Sequence, residues 1–434
     1  EMSSFAVWTI VILFGSLFVY LIAFRWPVFL SMIMACATWG IIFPGKLPDS
    51  TIVSSIAGNL NSVNYIAIIF YFLLGELLNN TSLADRLCRF LNSIIGHIPG
   101  SLSHVNVLIS MIFAGISGSS VADTSSIGSI LIPMMKKEGY PAGYAAAVTE
   151  ATSLVGPIIP PSNGLVMCAI IFGCSVRKLF IGGLIPGIIL GLAMLVISII
   201  VCKKKHYPCS EWRGWKYVWK CTLQSWGALA LPILVITALM LGIGTVVEIG
   251  AVSCLLAIII AISYGDFSWK NFYVALRNAA VSGATVMAIL AVSGLFSWIL
   301  ASAGVTAALG GWLGSLGLGA SGLMALCMVI FFVLGFILDP TVLINVIMPL
   351  MMPALLVTGV DLTAFCVLAI ITINLGNITP PVGALIYLSS SIAKCSSKET
   401  IIASIPYFLV VTACIVIMIL FPQIITFLPN LIMG

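Results

Sequence analysis

The chain has 434 residues, of which 61% are hydrophobic and only 7% charged, with a formal net charge of +5 and a mean hydropathy of +1.22. Soluble domains carry roughly 25% charged residues, so a soluble fold is excluded, and the charge is too small and too scattered for a nucleic-acid partner. Apolar runs over 5–24, 179–201, 229–244 continuing through 251–263, and 404–428 approach or exceed the roughly 20 residues that a bilayer requires. They lack the two-residue alternation of a barrel strand, and only helices satisfy the backbone of such runs in hydrocarbon. An all-α polytopic membrane protein with about ten or more crossings is therefore expected.

Taken in chain order, residues 5–45 read as two apolar segments broken at Arg25-Trp26-Pro27. An amphipathic stretch at 82–98 carries Asp85, Arg86, Arg89 and Asn92, and a similar one at 268–281 carries Lys270, Asn271, Arg277 and Asn278. Both are too polar to cross and suit either helices lying at the membrane surface, bracing a moving part, or ordinary solvated connections. Small and polar residues interrupt apolar sequence at 115–126, 149–153 and 156–163, then again at 335–341 and 372–381. Between these regions the basic stretch from Lys203 through Arg213 and Lys216 to Lys220 argues for a cytoplasmic joint. Glu248, between two apolar runs, is expected to mark a loop, and Glu76 with Asn79-Asn80 a helix end.

The chain is a duplication. A shift of 220 residues places Gly156-Pro157-Ile158-Ile159-Pro160-Pro161 on Gly376-Asn377-Ile378-Thr379-Pro380-Pro381, Gly115 on Gly335, Pro133 on Pro353, Thr152 on Thr372 and Pro186 on Pro406, without a gap. The boundaries that follow are 1–47 for N-terminal helices outside the repeat, 48–201 for the first repeat, 202–265 for the joint, and 266–434 for the second repeat. An odd number of crossings before the joint would invert the second repeat relative to the first. Matching Gly/Pro interruptions in two halves are the pointer to a secondary transporter whose site lies between the repeats.

The chemistry at the breaks follows from the backbone. Glycine beside paired prolines stops a helix, because proline removes a donor and clashes with the preceding turn. Freed carbonyls beside Ser, Thr and Asn side chains suit a hard monovalent cation, and the exposed helix starts suit an anionic group. Asp123 and Asp339 stand near equivalent places in the two halves; a bare charge at the bilayer centre costs roughly 2.5 to 3.5 kcal/mol, so each is read as a cation ligand or as a carboxylate capping a helix. Cys36, Cys168, Cys254, Cys327, Cys366 and Cys414 stand alone in apolar segments and serve as small hydrophobes. His97, His104 and His206 share no ligand spacing, and no nucleophile with a positioned base appears, so an enzyme is not expected.

At these residues the chain resembles the large membrane subunit of tripartite ATP-independent periplasmic (TRAP) transporters. The resemblance rests on the stretch from Ser117 to Asp123, on Ile132-Pro133 through Tyr140 with Ala145 to Ala147, and on Gly156 through Ser162. It implies an elevator-type transporter built from two inverted repeats, each with a re-entrant hairpin and a broken helix. It also implies coupling to sodium, Na+ being the only metal expected and no organic cofactor. By position, sodium would be held by Ser117, Ser119, Asp123, Gly156 and Pro160 in one repeat and by Asp339, Thr372, Gly376, Thr379 and Pro380 in the other. Substrate, an organic acid of the sialic acid or C4-dicarboxylate type, would lie near Ser120, Thr124, Ser162, Asn163 and Asn374. Asn163-Gly164 departs from the apolar residues expected after the first Pro-Pro.

The partners implied are a periplasmic substrate-binding protein, a small four-helix membrane subunit and the lipid bilayer, in the bacterial inner (cytoplasmic) membrane. No segment of the small subunit precedes Glu1, so it is expected on a separate chain or outside this sequence. The alternative reading is a stand-alone sodium/carboxylate symporter of the same superfamily, working without a binding protein. A proton-pathway subunit would want a chain of intramembrane Lys, Glu or His, which the sequence lacks.

Overall fold

The computed structural model describes residues 3–433 except 80, 210, 211, 337, 381 and 382, with the backbone alone at 22, 59 and 64. Asn80 and Pro381, singled out above, thus lie outside the described residues. Every regular element among the described residues is helical. The chain begins with α1 (Ser4–Ile22) and α2 (Val28–Ile42), separated at Arg25–Pro27 and packed together. Phe5, Trp39 and Phe43 cluster between them, and the indole N–H of buried Trp39 donates to Thr9 Oγ1 at 3.1 Å.

The first repeat continues with α3 (Asp49–Leu60), α4 (Asn64–Asn79), α5 (Leu83–Ile95), α6 (Ser101–Ser117), α7 (Ser120–Lys137), α8 (Ala142–Thr152), α9 (Asn163–Phe172) and α10 (Val176–Lys205). The joint holds α11 (Trp215–Gln224), α12 (Trp226–Leu241) and α13 (Val246–Ser263). Glu248 sits in the first turn of α13, not in a loop: it closes a capping box with Thr245. That box, with Gly242 at φ +67°, divides the run expected to continue from 229 to 263.

The second repeat comprises α14 (Trp269–Ser302), α15 (Val305–Ser315), α16 (Ala320–Gly335), α17 (Pro340–Val342) continued by a π-helical stretch (Leu343–Ile347) into α18 (Met348–Thr358), α19 (Leu362–Gly376), α20 (Ala384–Ala393), α21 (Ser397–Leu420) and α22 (Gln423–Met433). The 220-residue shift carries α6 to α10 onto α16 to α21, element upon element. It also corrects one expected pairing: 82–98 maps onto α15, whereas 268–281 maps onto α3. The latter stretch is the first half of one unbroken helix, because α14 contains no proline and its polar side chains Lys270, Asn271 and Arg277 are exposed at one end of an apolar run.

Six described helical runs are long and apolar enough to cross a membrane, or eight if two bent pairs are single spans. That is fewer than the ten or more expected. Glycine and proline cut apolar sequence into helices such as α6, α9, α16 and α20 that are shorter than a bilayer, and Pro422 likewise ends the run expected over 404–428 after Leu420.

The two repeats interleave. Helix α8 packs on α20 and α21, and α7 on α20. Polar links cross the boundary: Tyr144 and Tyr407 hydroxyls lie 3.0 Å apart, Lys136 Nζ donates to the Ala393 carbonyl at 2.6 Å, and the hydroxyls of Ser389 and Ser404 donate to the two oxygens of buried Glu150 at 2.7 and 2.6 Å. Each serine also reaches a carbonyl of its own helix, Ile386 or Thr400, so it has a second acceptor, whereas these two hydroxyls are the carboxylate's donors among the described residues. Removing both serines should therefore cost ~1–3 kcal/mol per lost donor, and Glu150→Met less than the Ser389→Ala/Ser404→Ala pair. Thermal unfolding of the purified variants in detergent checks the order; the reverse order would mean that the carboxylate is supported from elsewhere.

Candidate functional site

The first break is built by close backbone approach. Helix α6 ends at Gly118 (φ +62°), a left-handed residue that glycine tolerates, and a Cβ there would lie 2.5 Å from the Pro161 carbonyl oxygen. Ser119 then caps α7, its hydroxyl accepting from the Ala122 N–H at 3.5 Å. One turn further, Asp123 is wholly buried, and the Ser117 hydroxyl donates to its Oδ1. Its Oδ2 is buried with no hydrogen-bond donor among the described residues, and a Cβ on Gly156 would overlap that same oxygen. Ser117, Ser119, Asp123 and Gly156 are thus brought together, with the Pro160 carbonyl facing Gly115 behind them. A buried carboxylate oxygen without a donor is costly, and a small cation lodged there would offset that cost, so the residues fit such an ion.

The second break is not a copy. Under the shift Asp339 falls on Ser119 and Asp123 falls on Leu343, so the two aspartates are not equivalent. Asp339 is exposed and caps α17, accepting from the Thr341 N–H at 2.8 Å. Gly376 abuts Gly335, whose carbonyl carbon and oxygen would lie 2.7 Å from any added Cβ. The Thr372 and Thr379 hydroxyls donate within their own chain segments, to Leu368 and Leu375 carbonyls, both at 2.8 Å. Pro380 is exposed. Thus Gly376 and Thr372 share a buried helix end, while Asp339 belongs to a neighbouring wall.

That wall encloses a cavity of about 180 Å³ between the repeats. The first turns of four helices line it: Ser120 of α7, Asn163 of α9, Pro340 and Thr341 of α17, and Ala384 of α20. Helix starts carry unpaired N–H groups and partial positive charge; Pro340 has no N–H and the Thr341 N–H is already taken by Asp339, so the starts of α7, α9 and α20 are the ones that favour an anion. The Ser120 hydroxyl donates to Asn374 Oδ1 at 3.2 Å, joining the repeats, and Asn374 Nδ2 donates to the Ile370 carbonyl at 2.8 Å. Asn163 also lines the cavity; its amide nitrogen and oxygen are buried with no hydrogen-bond partner among the described residues. Asp339 is the one charged residue among the described lining residues.

Two expected substrate residues lie elsewhere. The Ser162 hydroxyl caps α9, accepting from Leu165 N–H at 3.2 Å and donating to the Pro157 carbonyl at 2.5 Å. Thr124 is buried one position beyond Asp123, its hydroxyl without a partner, and does not line the cavity. Asn345, a polar residue of the second interruption, does not line the cavity but contacts its wall. Its Nδ2 donates to the Thr341 carbonyl at 2.6 Å and its Oδ1 is buried without a partner among the described residues; in sequence it is the lone polar residue in the apolar run 342–348.

The chain is similar along most of its length to known transporter permeases. The chain is 29% identical over 388 residues to the 2,3-diketo-L-gulonate TRAP transporter large permease protein YiaN of Escherichia coli, covering 89% of this chain and 90% of that protein. It is 27% identical over 409 residues to the sialic acid TRAP transporter large permease protein SiaM of Vibrio cholerae, covering 94% and 96%. The crystal structure of the Alcanivorax borkumensis YdaH transporter superposes with a TM-score of 0.63 over 88% of each chain at 15% identity, a likeness of fold alone. The family model of the tripartite ATP-independent periplasmic transporter, DctM component, matches residues 14–424. With a duplicated helical core, paired breaks and a cavity between them, the chain belongs to that family of multi-pass inner-membrane transporter permeases, which are not enzymes.

Proposed function

We propose that this chain is the substrate-translocating subunit of a Na+-coupled transporter that imports an organic acid, of the sialic acid or C4-dicarboxylate type, handed over by a periplasmic binding protein. The observation that carries the reading is the convergence of four helix starts, two from each repeat, on one cavity beside the buried carboxylate of Asp123. The starts of α7, α9 and α20 receive the substrate carboxylate. Sodium is assigned to Asp123, Ser117, Ser119, Gly156 and Pro160 on one side, and to Gly376, Thr372, Thr379, Pro380 and Asp339 on the other. With no Lys, Arg or His among the described lining residues, bound cations neutralise the carboxylate, which is the physical basis of coupling. The paired hairpins, α6 with α7 and α16 with α17–α18, are read as the moving part of an elevator. A small four-helix membrane subunit would enlarge the scaffold formed by α1 to α4, α13 and α14.

The test is uptake of labelled sialic acid and of succinate into proteoliposomes, with and without an inward sodium gradient, each with and without the cognate small subunit and binding protein. Uptake that needs every component and sodium is expected. Uptake by this chain alone would establish a stand-alone symporter instead, and uptake indifferent to sodium would remove the coupling. Within the active system Asn163→Leu should raise KM about tenfold with little change in folding stability, since one or two substrate hydrogen bonds of ~1 kcal/mol each are lost. An unchanged KM would remove Asn163 from the substrate site.

A further inference from the structure

Away from the transport cavity, α5 and the start of α11 enclose a second cavity of about 200 Å³. Its described lining includes Arg89, Asn92 and His97 on one side and Trp212, Arg213 and Tyr217 on the other, with no Asp or Glu. Arg213 is exposed; its guanidinium lies 5.2 Å from the Tyr217 ring centroid and donates to that hydroxyl at 3.3 Å. The His97 and Trp212 rings meet edge to face at 5.1 Å. Arg89 pairs with Asp85, which does not line the cavity. The site therefore presents two guanidinium groups framed by aromatic rings, an arrangement that recognises a phosphate-type anion.

The surroundings say which anion. Trp215, Trp219 and Leu223 recur at helical spacing on α11 and are 76%, 66% and 58% exposed, an apolar stripe that water would not favour. Lys216 and Lys220 alternate with them, and Lys203, Lys204 and Lys205 end α10 close by in sequence. Helix α11 is bent by 63° from α12, the arrangement of a surface helix turning into a crossing one. Exposed tryptophans beside clustered lysines mark the cytoplasmic headgroup layer of a bilayer. We propose that this pocket binds the phosphate headgroup of an anionic phospholipid, whose acyl chains lie along the tryptophan stripe. Because α5 also packs on α6, and Met134 of α7 completes the lining, the lipid braces the joint against the first hairpin.

The test is thermal unfolding of the detergent-purified full chain, with any membrane partner that co-purifies, titrated with phosphatidylglycerol, phosphatidylcholine or inorganic phosphate. Phosphatidylglycerol should raise the unfolding temperature saturably and the other two should not. Arg213→Gln should raise the half-maximal lipid concentration about fivefold, equivalent to ~1 kcal/mol per basic residue, and Arg89→Gln/Arg213→Gln about twenty-five-fold. Lys204→Gln, which shares the basic surface layer but does not line the pocket, should raise it by clearly less than Arg213→Gln. Should the double variant fail to fold, exposed Arg213 alone decides. Equal stabilisation by inorganic phosphate would make this a free-anion site, equal shifts for Arg213→Gln and Lys204→Gln would reduce it to diffuse surface charge, and absence of any lipid effect would remove it. Each of these three results overturns the proposal.

Discussion

Gly376→Ala is expected to abolish uptake. A Cβ at this position would stand 2.7 to 2.8 Å from the carbonyl carbon, oxygen and Cα of Gly335, closer than real carbon contacts allow. Both partners are backbone, so no rotamer can relieve the overlap, and α16 must separate from α19. Overpacking of this kind costs roughly 1–3 kcal/mol, and the displacement falls on the helix end assigned to sodium. Gly311→Ala is the matched control, because Gly311 lies in α15 with nothing within 4 Å of its Cβ direction, and its effect should stay within about 0.5 kcal/mol. Uptake and unfolding temperature measured on both would decide the matter: near-normal uptake by Gly376→Ala would mean that the close approach is packing alone.

Asp123→Asn should raise the sodium concentration for half-maximal uptake by about a hundredfold, with the chain still folded. Breaking a buried ion pair costs about 3–5 kcal/mol because one charge loses its partner; here only the sodium-bound form loses it, and the Asn oxygen remains as a ligand, so the low end applies, about 3 kcal/mol or a hundredfold. In sodium-free buffer the variant should unfold at the same or a higher temperature than the parent, because its amide replaces a costly buried carboxylate. Asp339→Asn should behave differently. That side chain is exposed and caps α17, and Asn is as good a cap as Asp, so only a few-fold change is expected. Sodium titrations of uptake and of unfolding temperature separate the cases; equal responses from the two variants would contradict the asymmetry of the breaks.

Much of this was legible before any coordinates. Proline and glycine act on their own segment of backbone, so Gly156–Pro161 and its counterpart from Gly376 announce interrupted helices wherever they fall in a fold. The duplication is read from the 220-residue register and the lipid solvent from composition, whereas the short helices that lower the crossing count below ten emerged only in the fold. The two amphipathic stretches show where such reasoning ends: similar polar sequence forms a separate helix at α5 but the first half of a continuous one at α14. Polarity reports which residues meet water and does not report whether a helix stops, for which a breaker is needed.

The sequence by itself determined an all-α, duplicated membrane protein with paired breaks, because composition, periodicity and proline chemistry are local properties of the chain. Only the tertiary structure decided which of two similar-looking aspartates is buried, that four helix starts share one cavity, that Glu150 is held by serines from the other repeat, and that Arg89 and Arg213 line one cavity between α5 and the approach to α11. Each of these depends on residues far apart in sequence, and burial and partnership are properties of the packed neighbours rather than of the residue itself.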